Sequence, residues 1–204
     1  MIPKPAVERL CRIYTCLQEA GKHGTEYIGS GDIEEETGIP AHTVRKDISY
    51  LGTPGPGGGK YRVESLKAVI FDSLELGRKP RVCIVGLSPL GLTVLKTAAL
   101  SGEFDIAAGF DSNTNLIELT ETKTDLFPAY MIPDKVKELN IELAVLVVPE
   151  SDVEKSIERL VKGGIRGILN YTPVPVPPQY GITVRNLYLP EELRILGVET
   201  KING

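Results

Sequence analysis

The chain has 204 residues and a formal net charge of −4, from 23 Lys and Arg against 27 Asp and Glu. That length holds two small domains whose cores need no covalent staple, and the mildly acidic balance is ordinary. No apolar run reaches the roughly eighteen residues of a membrane span, and the opening MIPKPAVERL lacks a secretion signal's apolar core and cleavage site, so a cytoplasmic location is expected.

Pro3 and Pro5 open a first helix with Val7, Leu10, Tyr14 and Leu17 as its apolar stripe, ended by Gly21 and Gly24. Cys11 and Cys16 on this helix, with Cys83 further on, are read as reduced core or near-core thiols, and no metal site is expected. A short strand or turn around Tyr27 and Ile28 follows. Ser30 is the expected cap of a second helix whose first turns carry Asp32, Glu34 and Glu35, which suits the helix dipole. Thr37 and Gly38 supply a turn. Pro40 then starts a third helix with Ile39, Val44, Ile48 and Leu51 facing inward, giving a helix-turn-helix.

Gly52 to Gly59 is crowded with Gly and Pro, and Lys60 to Val63 reads as the returning strand of a hairpin, so residues 1–77 are expected to form a winged helix. Its reading helix offers His42, Thr43, Arg45, Lys46, Ser49 and Tyr50 to bases and phosphates, joined by Lys60 and Arg62 from the wing. Total charge does not single this half out, because residues 1–80 carry eleven basic and eleven acidic side chains. The acids gather on the second helix, whereas Arg45, Lys46, Lys60 and Arg62 cluster on the candidate reading head. Ser65 is the expected cap of a further helix, and 77–80 is a linker.

The second half begins with RVCIVGLSPLG. Val82 to Val85 are a buried strand that stops at Gly86, Pro89 suits the first turn of a helix, and Leu90, Val94, Leu95 and Ala98 recur behind it. Phe104 to Phe110 form the second strand, ending at Asp111, about 20 residues past Gly91. A helix N-terminus offers N–H groups to a pyrophosphate, and a carboxylate at that strand tip can hold both adenosine ribose hydroxyls. In G-x-G-x-x-G terms Gly86 and Gly91 fill the first and third positions, but Ser88 fills the second, where its Cβ pushes the pyrophosphate outward.

Beyond the polar stretch after Asp111 a strand is expected near Ala129 to Ile132, then a helix over 133–139. Further strands are expected at 141–148, 165–171 and 182–187, with a helix after Ser151 and a short last one over 190–197. Strand and helix alternate, so the fold class is α/β, with residues 81–187 a Rossmann-like, doubly wound parallel sheet. Ligands of such sheets sit beyond the carboxyl ends of the strands. The expected crevice is therefore lined by Gly86, Leu87, Ser88, Pro89, Leu90, Gly91, Asp111, Ser112, Val148, Pro149, Asn170, Tyr171 and Thr172. A small dehydrogenase is disfavoured, because both histidines, His23 and His42, lie in the N-terminal head and no Ser/Tyr/Lys set stands by the crevice.

Taken together, RKDISYLG, the Gly-rich wing, VGLSPLG, FD, VVPES and GIRGILNYTPV resemble the bacterial Rex redox-sensing repressors across nearly the whole chain. The resemblance implies a homodimer that swaps C-terminal helices, here residues 188–204. It implies winged heads on palindromic double-stranded operator DNA and a second half that compares NADH with NAD, NADH releasing the DNA. It places Arg45, Lys46, Asp47, Ser49 and Tyr50 on the recognition helix, and Gly86, Gly91, Asp111 and Asn170 at the nucleotide. Several positions depart from the family pattern. The wing arginine is glycine, an aspartate before the swapped helix is Tyr188, its arginine partner is Thr15, and the tyrosine after the glycine-loop helix is Thr97. The alternatives are a Rex-like DNA-binding paralogue with little or no redox response, and a regulator that binds coenzyme A or another nucleotide.

Overall fold

The computed structural model describes residues 2–52, 59–178 and 181–202, apart from the side chains of 98–101. The chain divides into two compact units, Met1–Arg78 and Lys79–Gly204.

In the first unit, helix α1 (Lys4–Lys22) is followed by strand β1 (Tyr27–Gly29), helices α2 (Ser30–Thr37) and α3 (Ala41–Ser49), strand β2 (Lys60–Arg62) and helix α4 (Val63–Ser73). One apolar cluster joins them, with Leu10, Ile13 and Leu17 of α1 against Ile33, Val44, Ile48, Val63 and Ile70. The inward stripe of α1 is Ala6, Leu10, Ile13 and Leu17; Val7 is exposed and Tyr14 only partly covered, so the expected stripe is turned by one residue. Strand β2 pairs antiparallel with β1, Ile28 opposite Tyr61. The returning strand therefore closes on the segment before α2, and residues 53–58 of the expected wing lie outside the described residues. Helix α4 starts two residues before Ser65, because Val63 is drawn into the core and its N–H reaches Glu26 O at 2.9 Å.

The second unit contains β3 (Arg81–Val85), α5 (Pro89–Ser101), β4 (Asp105–Asp111), α6 (Thr114–Leu119), β5 (Leu126–Pro128), α7 (Ile132–Glu138), β6 (Leu143–Leu146), α8 (Val153–Gly163), β7 (Gly167–Asn170), β8 (Thr183–Asn186) and α9 (Leu189–Ile202). Its six strands lie in the order β5-β4-β3-β6-β7-β8, all parallel. The order reverses direction between β3 and β6, the switch point where such sheets open a crevice. Both faces are covered, which is why the strands read as unbroken apolar runs. Val82 and Ile84 pack with Leu87 and Leu95 on one face, and Cys83 and Val85 pack with Ile132, Val136 and Leu160 on the other.

Four expectations change here. Phe104 is exposed, because β4 begins at Asp105. The polar stretch after Asp111 contains α6, whose cap Asn113 accepts the N–H groups of Asn115 and Leu116. Strand β5 lies three residues before Ala129, at the sheet edge where Pro128 needs no ladder hydrogen bond. The last helix runs to Ile202, not Gly197, and none of its residues is buried.

Of the cysteines, Cys11 is exposed, Cys16 half-buried and Cys83 enclosed. Burial pushes the Cys83 thiol up to about 12 from an ordinary 9.0. The unfolded chain gives up that proton first, so the stability linked to Cys83 is intact below pH 9 and is lost as the pH climbs towards about 12. At pH 8 a thiol reagent is expected to reach Cys83 only on unfolding. The melting temperature of Cys83→Ala is expected to fall less between pH 9 and 11 than that of the parent, and equal slopes would contradict this.

Candidate functional site

Two separate sites stand out, one in each unit. In the head, the turn between α2 and α3 is set locally. Gly38 adopts φ +70°, a conformation that costs glycine nothing, and its N–H returns to Glu34 O at 2.8 Å. Thr37 Oγ1 accepts the Ile39 N–H, and Pro40 caps α3 with its carbonyl on the N–H groups of Thr43 and Val44.

Helix α3 then buries Val44, Asp47 and Ile48 and turns its other side outward. His42, Arg45, Lys46, Ser49 and Tyr50 are exposed, and Thr43 is half-buried. Lys60 and Arg62 are exposed on β2, alternating with buried Tyr61, whose phenol burial holds above its ordinary value. The outward side of α3 carries Arg45 and Lys46, β2 adds the exposed Lys60 and Arg62, and Glu34 of α2 accepts the Ala41 N–H at the start of α3.

Asp47 does not belong to that face. It is fully enclosed and forked by Arg9 of α1, with Nε to Oδ2 at 2.6 Å and Nη2 to Oδ1 at 2.9 Å. The hydrogen bond to Asp47 also raises the Arg9 guanidinium above its ordinary value. This pair ties α3 to α1, and no sequence signal marked Arg9 as its partner. Arg9→Met leaves an enclosed carboxylate unpaired and is expected to lower the melting temperature by about 10 °C or more. Asp47→Asn, which leaves only the half-buried Arg9 guanidinium without its counter-charge, is expected to cost less, and thermal melts of both variants check the order.

In the second unit the strand order puts the expected crevice at the carboxyl ends of β4, β3, β6 and β7. Gly86 leaves β3 at φ +99° with its N–H on Phe110 O, and a Cβ there would stand 2.1 Å from Val147 O. A Cβ on Gly91 would stand 1.9 Å from Gly86 O. The first glycine lets the turn pass the neighbouring strand, and the last lets α5 press onto β3, the two uses a dinucleotide loop has for them. The loop thus fits a pyrophosphate cradle at its ends and departs in the middle. Ser88 is the helix cap, and Pro89 at the first helical position has no N–H, leaving Ser88, Leu90 and Gly91 as backbone donors. No acidic side chain stands in the first turn of α5 to oppose an anion.

Asp111 accepts the Leu87 N–H on Oδ2 at 2.6 Å and the Asn113 N–H on Oδ1 at 2.8 Å. The carboxylate is thereby fixed at the strand tip, and each oxygen keeps one lone pair for a hydroxyl. Leu87 itself is buried, so only its backbone takes part. Ser88 and Tyr171 are half-buried, Pro89, Leu90, Ser112 and Pro149 are exposed, and Val148 lies between β6 and α8. Ser112 Oγ is 3.3 Å from Asp152 Oδ2.

Asn170 and Thr172, expected to line the mouth, are drawn inward. Both are buried. Asn170 Nδ2 donates to Val174 O and to Asn186 Oδ1, and its Oδ1 accepts from the N–H and hydroxyl of Thr172. Asn186 in turn brackets Val176 through its N–H and C=O. These amides shape the wall that carries Tyr171, and Asn186 was the member missed from sequence. Of the departing positions, Thr15 and Thr97 are exposed, and Tyr188 lends its carbonyl to Glu191 and Glu192 at the start of α9. Among the described residues no three His, Cys, Asp or Glu side chains come together as metal ligands would, and no helix is long and apolar enough to cross a membrane.

Comparison with known proteins bears on both sites. Residues 1–49 match the family described as "Putative DNA-binding protein N-terminus", and residues 78–174 match "CoA binding domain". A curated relative, the redox-sensing transcriptional repressor Rex of Pediococcus pentosaceus, is 31% identical over 189 residues, covering 92% of this chain and 91% of its own. Two crystal structures of RSP, a Rex-family repressor, superpose on the whole chain. The complex with β-NAD+ and operator DNA gives a TM-score of 0.88 at 23% identity, and that with β-NADH gives 0.86 at 22%, each covering all of this chain and 94% and 96% of its own. At those identities the structural likeness speaks for the fold.

Proposed function

Because the chain belongs to the Rex family of redox-sensing transcriptional repressors, we propose that it is a DNA-binding repressor whose second unit reads the balance of NADH and NAD, NADH releasing the operator. One observation carries this reading. A chain that aligns end to end with Rex repressors has both an outward basic recognition helix and a glycine cradle that ends on a fixed carboxylate.

On this reading Arg45, Lys46, Ser49 and Tyr50 meet bases and phosphates, with His42, Thr43, Lys60 and Arg62 beside them. The bound dinucleotide supplies the two redox states to be told apart. The loop from Gly86 to Gly91 receives its pyrophosphate through backbone N–H groups and the Ser88 hydroxyl, Asp111 receives the ribose, and Ser112, Val148, Pro149 and Tyr171 wall the mouth. The chain acts as a regulator and not as an enzyme, and it works in the cytoplasm.

The active species is a homodimer. Helix α9 exposes Leu189, Leu193, Ile195, Leu196, Val198 and Ile202 and buries nothing in its own chain, more apolar surface than one isolated helix leaves to water. A second copy exchanging the same helix covers it symmetrically and spaces the heads for half-sites one turn of DNA, about 34 Å, or a multiple of it apart.

Isothermal titration with NADH, NAD, NADPH and coenzyme A tests the ligand. NADH and NAD are expected to bind, and NADPH about tenfold or more weakly than NADH, because the pinned Asp111 carboxylate repels a ribose phosphate. Heat from coenzyme A alone would turn the assignment to an acyl-carrier nucleotide, which the match over residues 78–174 and the altered loop at Ser88 favour as the second reading.

A further inference from the structure

Arg45 is held from outside its own helix. Its Nη1 donates to Ser30 Oγ at 2.7 Å, and Ser30, the first residue of α2, is 8% exposed. The sequence suggests Ser30 as the cap of α2, but Gly29 takes that place and gives its N–H to Asp32 Oδ2 at 2.8 Å. The serine hydroxyl is thereby released from backbone duty. Among the described residues the hydrogen-bond partner of that hydroxyl is Arg45. The guanidinium also lies close enough to Tyr61 of β2 for its charge to favour the phenolate. Arg45 is thus tied to the start of α2.

We propose that Ser30 is a positioning residue for base reading, fixing the Arg45 guanidinium through Nη1 so that its Nε–Nη2 edge faces the major groove. The inference rests on the operator-binding function proposed above. Two parallel N–H groups on one edge match the O6 and N7 acceptors of a guanine, the commonest specific contact of arginine with DNA. A free arginine gives up rotamer freedom when it docks; one already tethered gives up less, and the gain appears only at the correct base. Lys46, the neighbouring exposed cation, has no such tether among the described residues and suits a phosphate, where a mobile point charge suffices.

The test uses the full chain and an operator selected by the wild-type protein from random duplexes. Affinity is measured at one salt concentration for the selected duplex, for unrelated DNA and for half-sites with each base pair replaced in turn. Arg45→Ala is expected to erase the preference at one base pair. Ser30→Ala is expected to weaken the selected duplex about tenfold and to flatten that same position. Its affinity for unrelated DNA and its salt slope stay unchanged, since the charge remains. Ser30→Thr, which keeps the oxygen, is expected to restore the preference.

Full preference in Ser30→Ala while Arg45→Ala loses it overturns the inference. So does an equal loss on selected and unrelated DNA, which would mark general damage to the head. If the wild-type protein selects no sequence, the operator-binding function fails and this inference goes with it; if the wild type selects one and Arg45→Ala binds it unchanged, this inference alone fails.

Discussion

Gly91→Ala is expected to abolish dinucleotide binding, lowering NADH affinity by about 100-fold or more. A methyl group 1.9 Å from Gly86 O cannot be absorbed by a flexible side chain, because the obstacle is main chain on the adjoining turn. Helix α5 must back away from β3, which draws the N–H groups at its start off the site they share with Gly86. Gly86→Ala meets Val147 O at 2.1 Å and also needs a φ of +99°, so it should be at least as damaging. The control is Gly31→Ala in the head, where an added Cβ has nothing within 4 Å. It is expected to leave nucleotide affinity unchanged and to stabilise the head slightly, by about 0.4–1 kcal/mol. Titration calorimetry and thermal melts on the three variants separate loss of the cradle from loss of fold. NADH affinity preserved in Gly91→Ala would remove the glycine loop from the site.

Arg45→Ala is expected to reduce operator affinity about tenfold or more, against near-neutral effects at exposed residues away from α3. The side chain is exposed, cationic and already oriented, so its loss removes a base contact rather than a packing contact. Lys46→Ala should behave differently. A phosphate contact is blind to sequence, so binding to all duplexes weakens alike and the slope of log affinity against log salt falls by about one. Mobility shifts at several salt concentrations distinguish the two. Unchanged operator binding by Arg45→Ala at matched salt would remove α3 from the DNA.

Much of this architecture is legible in the sequence because it is written locally. Gly38 and Pro40 mark the turn between two short helices, and Val82 to Val85 running into Gly86 marks a strand buried on both faces. Cys83 and Ile84 show why periodicity alone says little there: each faces a different layer, and both layers are apolar. What the sequence hides depends on partners far along the chain. Arg9 meets Asp47 across 38 positions and Arg45 meets Ser30 across 15. Asn170 looks like a ligand-facing residue at a strand end until Asn186, 16 positions on, is seen to hold it inward. Strand β5 is hard to read because Pro128 argues against a strand, a rule that lapses at a sheet edge. The end of helix α9 is not legible, because none of its residues is buried in its own chain and no core periodicity marks where it stops.

For a nucleotide to weaken DNA binding 100-fold, its affinity for the two forms of the protein must differ by about 2.7 kcal/mol, and DNA must weaken the nucleotide by the same factor. Operator affinity measured with and without saturating NADH at one fixed ionic strength tests that linkage most directly. The proposed function predicts a large drop with NADH and little change with NAD. Equal affinity in both, with NADH shown by calorimetry to be bound, would contradict it and leave a DNA-binding protein that does not sense the redox state of its nucleotide.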